Sequence, residues 1–464
     1  MPSPHSLLGV RRGSVVAPAG HGKTELIARV AALGRRTLVL THTHAGVHAL
    51  RARIKRLGVD PKAAVIDTIA SWSSRYASAF PSAGKPLGRM PQGAEWSDIY
   101  VGGVGVLSIS AVQSVLEASY DRVLVDEYQD CDLFQHALVC ALSEHLPTLV
   151  FGDRMQGIFG FRGNPSVSWD DDVFPQFPLT GTLLEPMRWR DVNPALGEWI
   201  SQVRTKLERG EEIDLSIAPA AIVACENAFE VSPLFHEIDS VTGTIAAIHC
   251  RRDTCNQLAK STRGSYQAIE DIACVALQAF AAEWDSDPAA RVDNLKAFIK
   301  LAVTSKPLAK DESESDDDTQ ALKQLRATYE DLGATGEALH AITALETVRR
   351  HSRARTFRGE LLRDTVKALT GVAEGKFRTL TQSAFVVRQR VSHGGRYLPR
   401  RTVSTPLLLK GLEFDHVVVP DATHFNNEGN RGAQAKLFYV ALSRARTSLV
   451  IASSSPVVRF PVPD

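Results

Sequence analysis

The stretch that most constrains this chain is Val15–Thr24, which reads VVAPAGHGKT. Ser14-Val15-Val16-Ala17 has the character of a buried strand. It feeds a turn containing Gly20 and Gly22, and Lys23-Thr24 then open a predicted helix that continues to Leu33. Each part suits an anion. Glycines let backbone N–H groups approach phosphate oxygens, and a helix N-terminus brings the positive end of its dipole. Lys23 is placed to reach β- and γ-phosphates, and the Thr24 hydroxyl to ligate Mg2+. Gly20, His21, Gly22, Lys23 and Thr24 are therefore the expected phosphate cradle.

Short apolar runs recur downstream. Arg36–Thr41 and Val65–Ile69 read as strands, with a helix at about 46–57 between them. Val123–Val125 and Thr148–Phe151 follow, each leading to an acidic residue. Strands alternating with helices argue for a parallel sheet covered on both faces. Residues 73–120 are richer in Ser, Gly and Pro and read as an insertion with weak structural signals. After about residue 180 the pattern restarts, with strands expected at Thr244–Ile248, Ala384–Val387 and Val417–Val419. Residues 266–380 look helical and contain the acidic run DESESDDD at 311–318, expected as an exposed loop. The fold class is thus α/β, with a second domain carrying a mostly helical insertion.

Lys plus Arg number 53 and Asp plus Glu 52, a net charge of +1. Nucleic-acid binding would have to come from a local patch. No apolar run approaches the roughly 20 residues of a membrane span, and the N-terminus MPSPHSLLGVRRG has no long apolar core. The expectation is a cytoplasmic protein with no membrane contact. Six cysteines are scattered at 131, 140, 225, 250, 255 and 274, and they read as reduced thiols rather than a disulfide frame or zinc site.

Val123-Leu124-Val125-Asp126-Glu127 is the natural partner of the Lys23 loop. An apolar strand ends in two carboxylates. Asp126 suits Mg2+, and Glu127 suits polarising an attacking water.

Further motifs follow in order: LTHTHAGVHALRARI (40–54), IDTIASW (66–72), DEYQD (126–130), GDRMQGIFGFRG (152–163), LLEPMRWR (183–190), STPLLLKGLEFDHVVV (404–419) and LFYVALSRARTSLVI (437–451). Together with APAGHGKT (17–24) they resemble the superfamily one DNA helicases of the UvrD/Rep/PcrA type, and they span residues 17 to 451. The resemblance implies two RecA-like P-loop domains with ATP between them and single-stranded DNA across their tops. It suggests a first domain at 1–178 with a small insertion at 73–120. The second would comprise 179–265 and 381–464, with the helical insertion at 266–380.

The same resemblance assigns roles. Gln156 would sense the γ-phosphate, Arg190 and Arg444 would act as arginine fingers, and Glu413 would contact the ribose. Phe159, Phe161 and Arg162 would meet DNA, as would His42, Trp72 and Trp189. Basic residues Arg51, Arg53 and Lys55, and Arg349, Arg350, Arg353, Arg355 and Arg358, would follow the phosphate backbone. The implied activity is Mg2+- and ATP-dependent translocation on single-stranded DNA or on duplex with a single-stranded tail, 3′→5′. The alternative is a DNA-stimulated ATPase that senses or remodels ends, partnered by a protein such as a nuclease in repair or phage defence. The chain departs from the family pattern in having no Gln in residues 1–16 to read adenine. It also carries Leu407 and Ala70 where the family has histidines.

Overall fold

The computed structural model describes residues 2–87, 91, 94–158, 166–230, 241–271, 274–304, 316–352, 354–394, 398–427 and 431–463. The chain divides into two compact units. One is Met1–Ala220 with Phe425–Ser448 and Pro456–Asp464, and the other is Ala221–His424 with Leu449–Ser455.

The first unit is built on strands β1 (Arg12–Val16), β2 (Thr37–Thr41), β3 (Ala64–Thr68), β4 (Arg122–Val125), β5 (Thr148–Gly152) and β6 (Leu179–Thr182). Their order is β3-β2-β4-β5-β1-β6, and every neighbouring pair is parallel. Alternate residues of each strand point to opposite faces. Leu38, Leu40, Val123 and Val125 enter a core with Trp72, Leu116, Leu138 and Leu142. Val39, Leu124, Leu149 and Phe151 enter the opposite core with Ile27, Val30 and Leu50. Helices thus cover both faces, which is why these strands are apolar throughout rather than alternating.

The 73–120 stretch is helical where it is described, with helices Ile69–Ala79, Glu95–Leu107 and Ser110–Ser119. Its small residues obscure that periodicity because they serve close packing. A Cβ on Gly103 would lie 2.3 Å from the Ser73 hydroxyl, and one on Gly102 would lie 2.1 Å from the Gly84 carbonyl.

Helix Pro194–Arg209 has Asn193 capping its N-terminus and Gly210 in the left-handed region at its end. Its buried Leu196, Trp199, Ile200, Val203 and Leu207 follow helical spacing. This helix and helix Arg431–Leu442 both pack in the first unit. Residues 179–220 and 425–448, expected with the second domain, therefore lie with the first. A short antiparallel pair, β7 (Ile213–Asp214) with β14 (Val457–Val458), ties the chain end to the same unit.

The second unit carries β8 (Ala221–Ala224), β9 (Ile245–Ile248), β10 (Gln267–Ala268), β11 (Arg401–Ser404), β12 (Phe414–Val419) and the end of β13 (Ala445–Ser453). The order is β10-β11-β9-β12-β13-β8, and each pair of described register is parallel. A separate helical core gathers Leu277, Trp284, Phe298, Leu345, Leu361 and Leu380. Ala384–Val387, expected as a strand, is part of helix Leu380–Gly394. The short apolar run packs one face of that helix on the helical core, with Ala384 buried and Val387 partly buried. A run of four apolar residues cannot by itself distinguish the two. Of the acidic run, 316–318 begin helix Asp316–Thr335 and 311–315 lie outside the described residues.

Among the described residues no single helix is long and apolar enough to cross a membrane. All six cysteines are free thiols.

Candidate functional site

Because the sheet of the first unit is parallel, all its strands end on one edge, and that edge collects the polar motifs. The loop after β1 reaches helix Lys23–Leu33 through Gly20 at φ +76° and Gly22 at φ +88°. Both values are in the region that only glycine adopts freely. A Cβ on Gly20 would also lie 2.7 Å from the Trp189 ring.

Lys23 Nζ lies 2.9 Å from Asp126 Oδ1 and 2.7 Å from Glu127 Oε1. Burial alone would push the ammonium down, but the two carboxylates hold it above its ordinary value. Burial pushes the Asp126 carboxyl up, against the pull of Lys23. Glu127 has φ +56°, a left-handed conformation uncommon for a non-glycine residue. Such strain clusters at functional sites. Gln129 Nε2 donates to Glu127 Oε2 at 2.5 Å, and Gln129 Oε1 accepts the Asp153 N–H at 3.1 Å. Thr24 is half-buried on the first turn of its helix. A cation wedged between two carboxylates beside a glycine turn, with a hydroxyl on the next residue, is a donor set that fits phosphate and Mg2+.

His21 is buried, with Nδ1 2.9 Å from the Ala19 carbonyl and Nε2 3.3 Å from the Ser201 hydroxyl. Burial pushes its imidazole below the ordinary value. The loop is gripped further by the Tyr439 hydroxyl, which accepts the Ala19 N–H at 2.9 Å.

Gln156 is buried and donates to Asp153 Oδ2 at 3.2 Å. Arg444 is 1% exposed. Its guanidinium donates to Val440 O at 2.9 Å and the Ser443 hydroxyl at 2.8 Å, and reaches Gln156 Oε1 at 3.5 Å.

Arg190, expected as an arginine finger, is not brought to the phosphate loop, whereas Arg188 is. Arg190 points to solvent, its side chain 54% exposed, beside Glu185 and Asp191. Arg188 instead lies on the loop. Its N–H donates to Gly20 O at 2.8 Å, its Cβ is 3.0 Å from a Cβ placed on Gly20, and its guanidinium donates to Ser443 O. The Arg-Trp-Arg spelling offers two arginines, and only the packing of Trp189 decides which faces the loop.

The two tryptophans are covered by protein. Trp189 is fully buried, with Nε1 donating to Ala445 O at 2.7 Å. Trp72 is fully buried, its ring 4.4 Å from that of Tyr76. Neither offers a ring face to a base, so both serve packing here. His42 is half-buried, with Nε2 3.4 Å from Cys131 Sγ. Phe159, Phe161, Arg162 and Arg353 lie outside the described residues. Glu413 is exposed on the turn before β12. Arg53 pairs with Glu25 at 3.0 Å, Arg51 donates to Ile66 O, and Arg358 is buried against Glu270 at 2.6 Å. These three are spent on the fold rather than presented as an open basic track.

His249, Asp421 and His424 form a further group, whose donor atoms lie within 4.8 Å of one another. His249 Nδ1 accepts the Arg251 N–H at 3.0 Å. That puts the ring proton on Nε2, so neither nitrogen presents a lone pair to a metal.

Residues 94–166 match the UvrD/REP helicase N-terminal domain, and residues 403–452 match the UvrD-like helicase C-terminal domain. Both matched segments are of the UvrD/Rep helicase type. A subunit of an ATP-dependent helicase/nuclease from Leuconostoc mesenteroides is 31% identical over 68 residues, which are 15% of this chain and 6% of that protein. The chain therefore aligns with only a small part of that relative. A crystal structure of a Pif1 helicase from Bacteroides in complex with ADP-AlF3 and single-stranded DNA is 12% identical, with a TM-score of 0.40. The likeness covers 99% of this chain and 93% of that one.

Proposed function

We propose that this UvrD/Rep-type chain couples Mg2+-dependent ATP hydrolysis to 3′→5′ movement on single-stranded DNA, or on duplex with a single-stranded tail. The observation that carries the reading is Lys23 seated between Asp126 and Glu127 at the C-terminal edge of a parallel sheet. Lys23 and the backbone N–H groups of Gly20, His21 and Gly22 would bind the phosphates. Thr24 and Asp126 would hold Mg2+, which when bound neutralises phosphate charge. Glu127, fixed by its backbone and by Gln129, would take the proton of the attacking water.

Arg188, in place of Arg190, and Arg444 would supply positive charge to the transferring phosphoryl group. Such groups are worth about 10³–10⁵ in rate. Gln156 joins Asp153 to Arg444, and it would pass the phosphate state toward Phe159, Phe161 and Arg162, where DNA would stack and pair. Glu413 would contact the ribose and His42 the DNA.

A second reading is favoured by one observation, the local match to a protein named as part of a helicase/nuclease. Under it, the chain is a DNA-stimulated ATPase that senses or remodels ends beside a nuclease partner, without processive unwinding.

The test is strand displacement on duplexes with 3′ or 5′ single-stranded tails. Displacement that needs ATP and a 3′ tail is expected. DNA-stimulated hydrolysis without displacement would favour the nuclease-partner reading, and a 5′-tail requirement would refute the polarity.

A further inference from the structure

Three elements that are remote in sequence meet at one buried carboxylate. Asp153 follows β5, Arg204 lies on helix Pro194–Arg209 and Tyr439 on helix Arg431–Leu442. Arg204 donates to Asp153 Oδ1 from Nε at 3.1 Å and from Nη2 at 2.7 Å. Gln156 takes Oδ2. Tyr439, fully buried, is hydrogen-bonded to Asp153 and accepts the Ala19 N–H of the phosphate loop.

The protons of this chain run one way. The Tyr439 oxygen receives the Ala19 N–H, and its own proton faces Asp153, which as a carboxylate is its strongest acceptor. The carboxylate is fully buried and persists there because Arg204 faces it. Arg204 thus sets the state of Asp153, Asp153 orients the Tyr439 hydroxyl, and that hydroxyl holds the backbone that leads into Gly20, Gly22 and Lys23.

We infer that Arg204 is a positioning residue for the nucleotide site, acting through Asp153 and Tyr439 on the phosphate loop. The inference rests on the ATP-hydrolysis reading above and adds a residue outside every motif that carries it. A phosphate loop displaced by about 1 Å loses on the order of 10²-fold in rate. The nucleotide still finds its glycine turn and Lys23, so binding changes less than turnover.

The same chain gives a pH signature. Burial raises a carboxyl and Arg204 lowers it, and in the native site Arg204 prevails. The other groups facing Asp153 are Gln156 and Tyr439, with His21 nearby and Glu208 behind Arg204 at 3.0 Å. None of these replaces the guanidinium. Without it, burial prevails, the carboxyl takes up a proton at higher pH and becomes a weaker acceptor for the Tyr439 hydroxyl.

The experiment is steady-state ATP hydrolysis by the full chain between pH 6 and 9, for wild type, Arg204→Met, Arg204→Lys and Tyr439→Phe. Arg204→Met is expected to lower kcat by about 10²-fold, with KM changed only a few-fold. Its activity should climb with pH where the wild-type profile is flat. Arg204→Lys should restore most of the rate and the flat profile. Tyr439→Phe, which removes a single oxygen, should lower kcat equally at every pH. Wild-type rates and profile in Arg204→Met overturn the inference, as does a loss that is uniform across pH and not rescued by lysine. If Arg204→Met does not fold, unchanged kcat in Tyr439→Phe overturns it. A folded wild type that hydrolyses no nucleotide overturns the ATP reading itself and this inference with it.

Discussion

Arg444 reaches Gln156: the guanidinium Nη2 lies 3.5 Å from the amide oxygen, and the amide nitrogen donates in turn to Asp153. A buried arginine, a buried amide and a buried carboxylate are thereby in line between two motifs 288 residues apart in the sequence. If Gln156 carries the phosphate state toward DNA, Gln156→Ala should reduce the stimulation of hydrolysis by single-stranded DNA by about tenfold or more, an effect of about 1.4 kcal/mol. Basal hydrolysis should fall less. Equal loss with and without DNA would mean the amide serves hydrolysis alone.

Arg188 and Arg190 separate by packing, and kinetics should separate them too. Arg188→Ala should lower kcat by about 10³-fold, the lower end for an arginine acting on a phosphoryl group. Arg190→Ala, at an exposed site that does not touch the phosphate loop, should leave kcat within about twofold and stability within about 0.5 kcal/mol, as surface changes usually do. The reverse pattern would show that Arg190 turns inward when nucleotide binds.

The chemistry of the first unit was legible because it is local. Val15–Thr24 states strand, turn and helix in ten residues, and Val123–Glu127 states a strand with two carboxylates at its end. The parallel order of the sheet then brings them together. What sequence could not separate were choices made by packing. Arg188 and Arg190 are two residues apart and chemically identical, and the Trp189 ring against Gly20 decides between them. Trp72 and Trp189 have the residue type of a base-stacking platform, yet aromatic identity does not report burial. Arg204 stands in no motif, because its role is set by a helix docking on the end of β5. Helices Glu95–Leu107 and Ser110–Ser119 were obscured by the small residues that let them pack closely.

Trp72 gives a stability prediction. Its ring is fully buried among Leu40, Val106 and Leu138 in one core. Trp72→Ala should cost about 3–5 kcal/mol, the usual range for deleting a buried aromatic, read as a shift in the urea midpoint. A variant of wild-type stability with weakened DNA binding would restore the stacking role.

Asp153 gives the acid dependence. Burial opposes its charge and Arg204 overrides that, so its folded pKa lies below the ordinary value. A depressed carboxylate contributes stability that is present above the unfolded value of about 3.9 and is lost as pH falls through the folded one. Stability from this pair should therefore be constant near neutrality and fall below about pH 4. Asp153→Asn should lose about 3 kcal/mol at pH 7, the cost of leaving a buried partner uncompensated, and its stability should decline less steeply in acid. An identical acid slope in the variant would remove Asp153 from that transition.

Lys23 and Glu127 bear most directly on the central claim. The decisive measurement is Mg2+-dependent ATP hydrolysis with and without single-stranded DNA, for wild type, Lys23→Ala and Glu127→Gln. The account predicts turnover strongly stimulated by DNA in the wild type and abolished in both variants, with Glu127→Gln still binding ATP. Normal hydrolysis by Glu127→Gln, or wild-type turnover that ignores DNA, would contradict it.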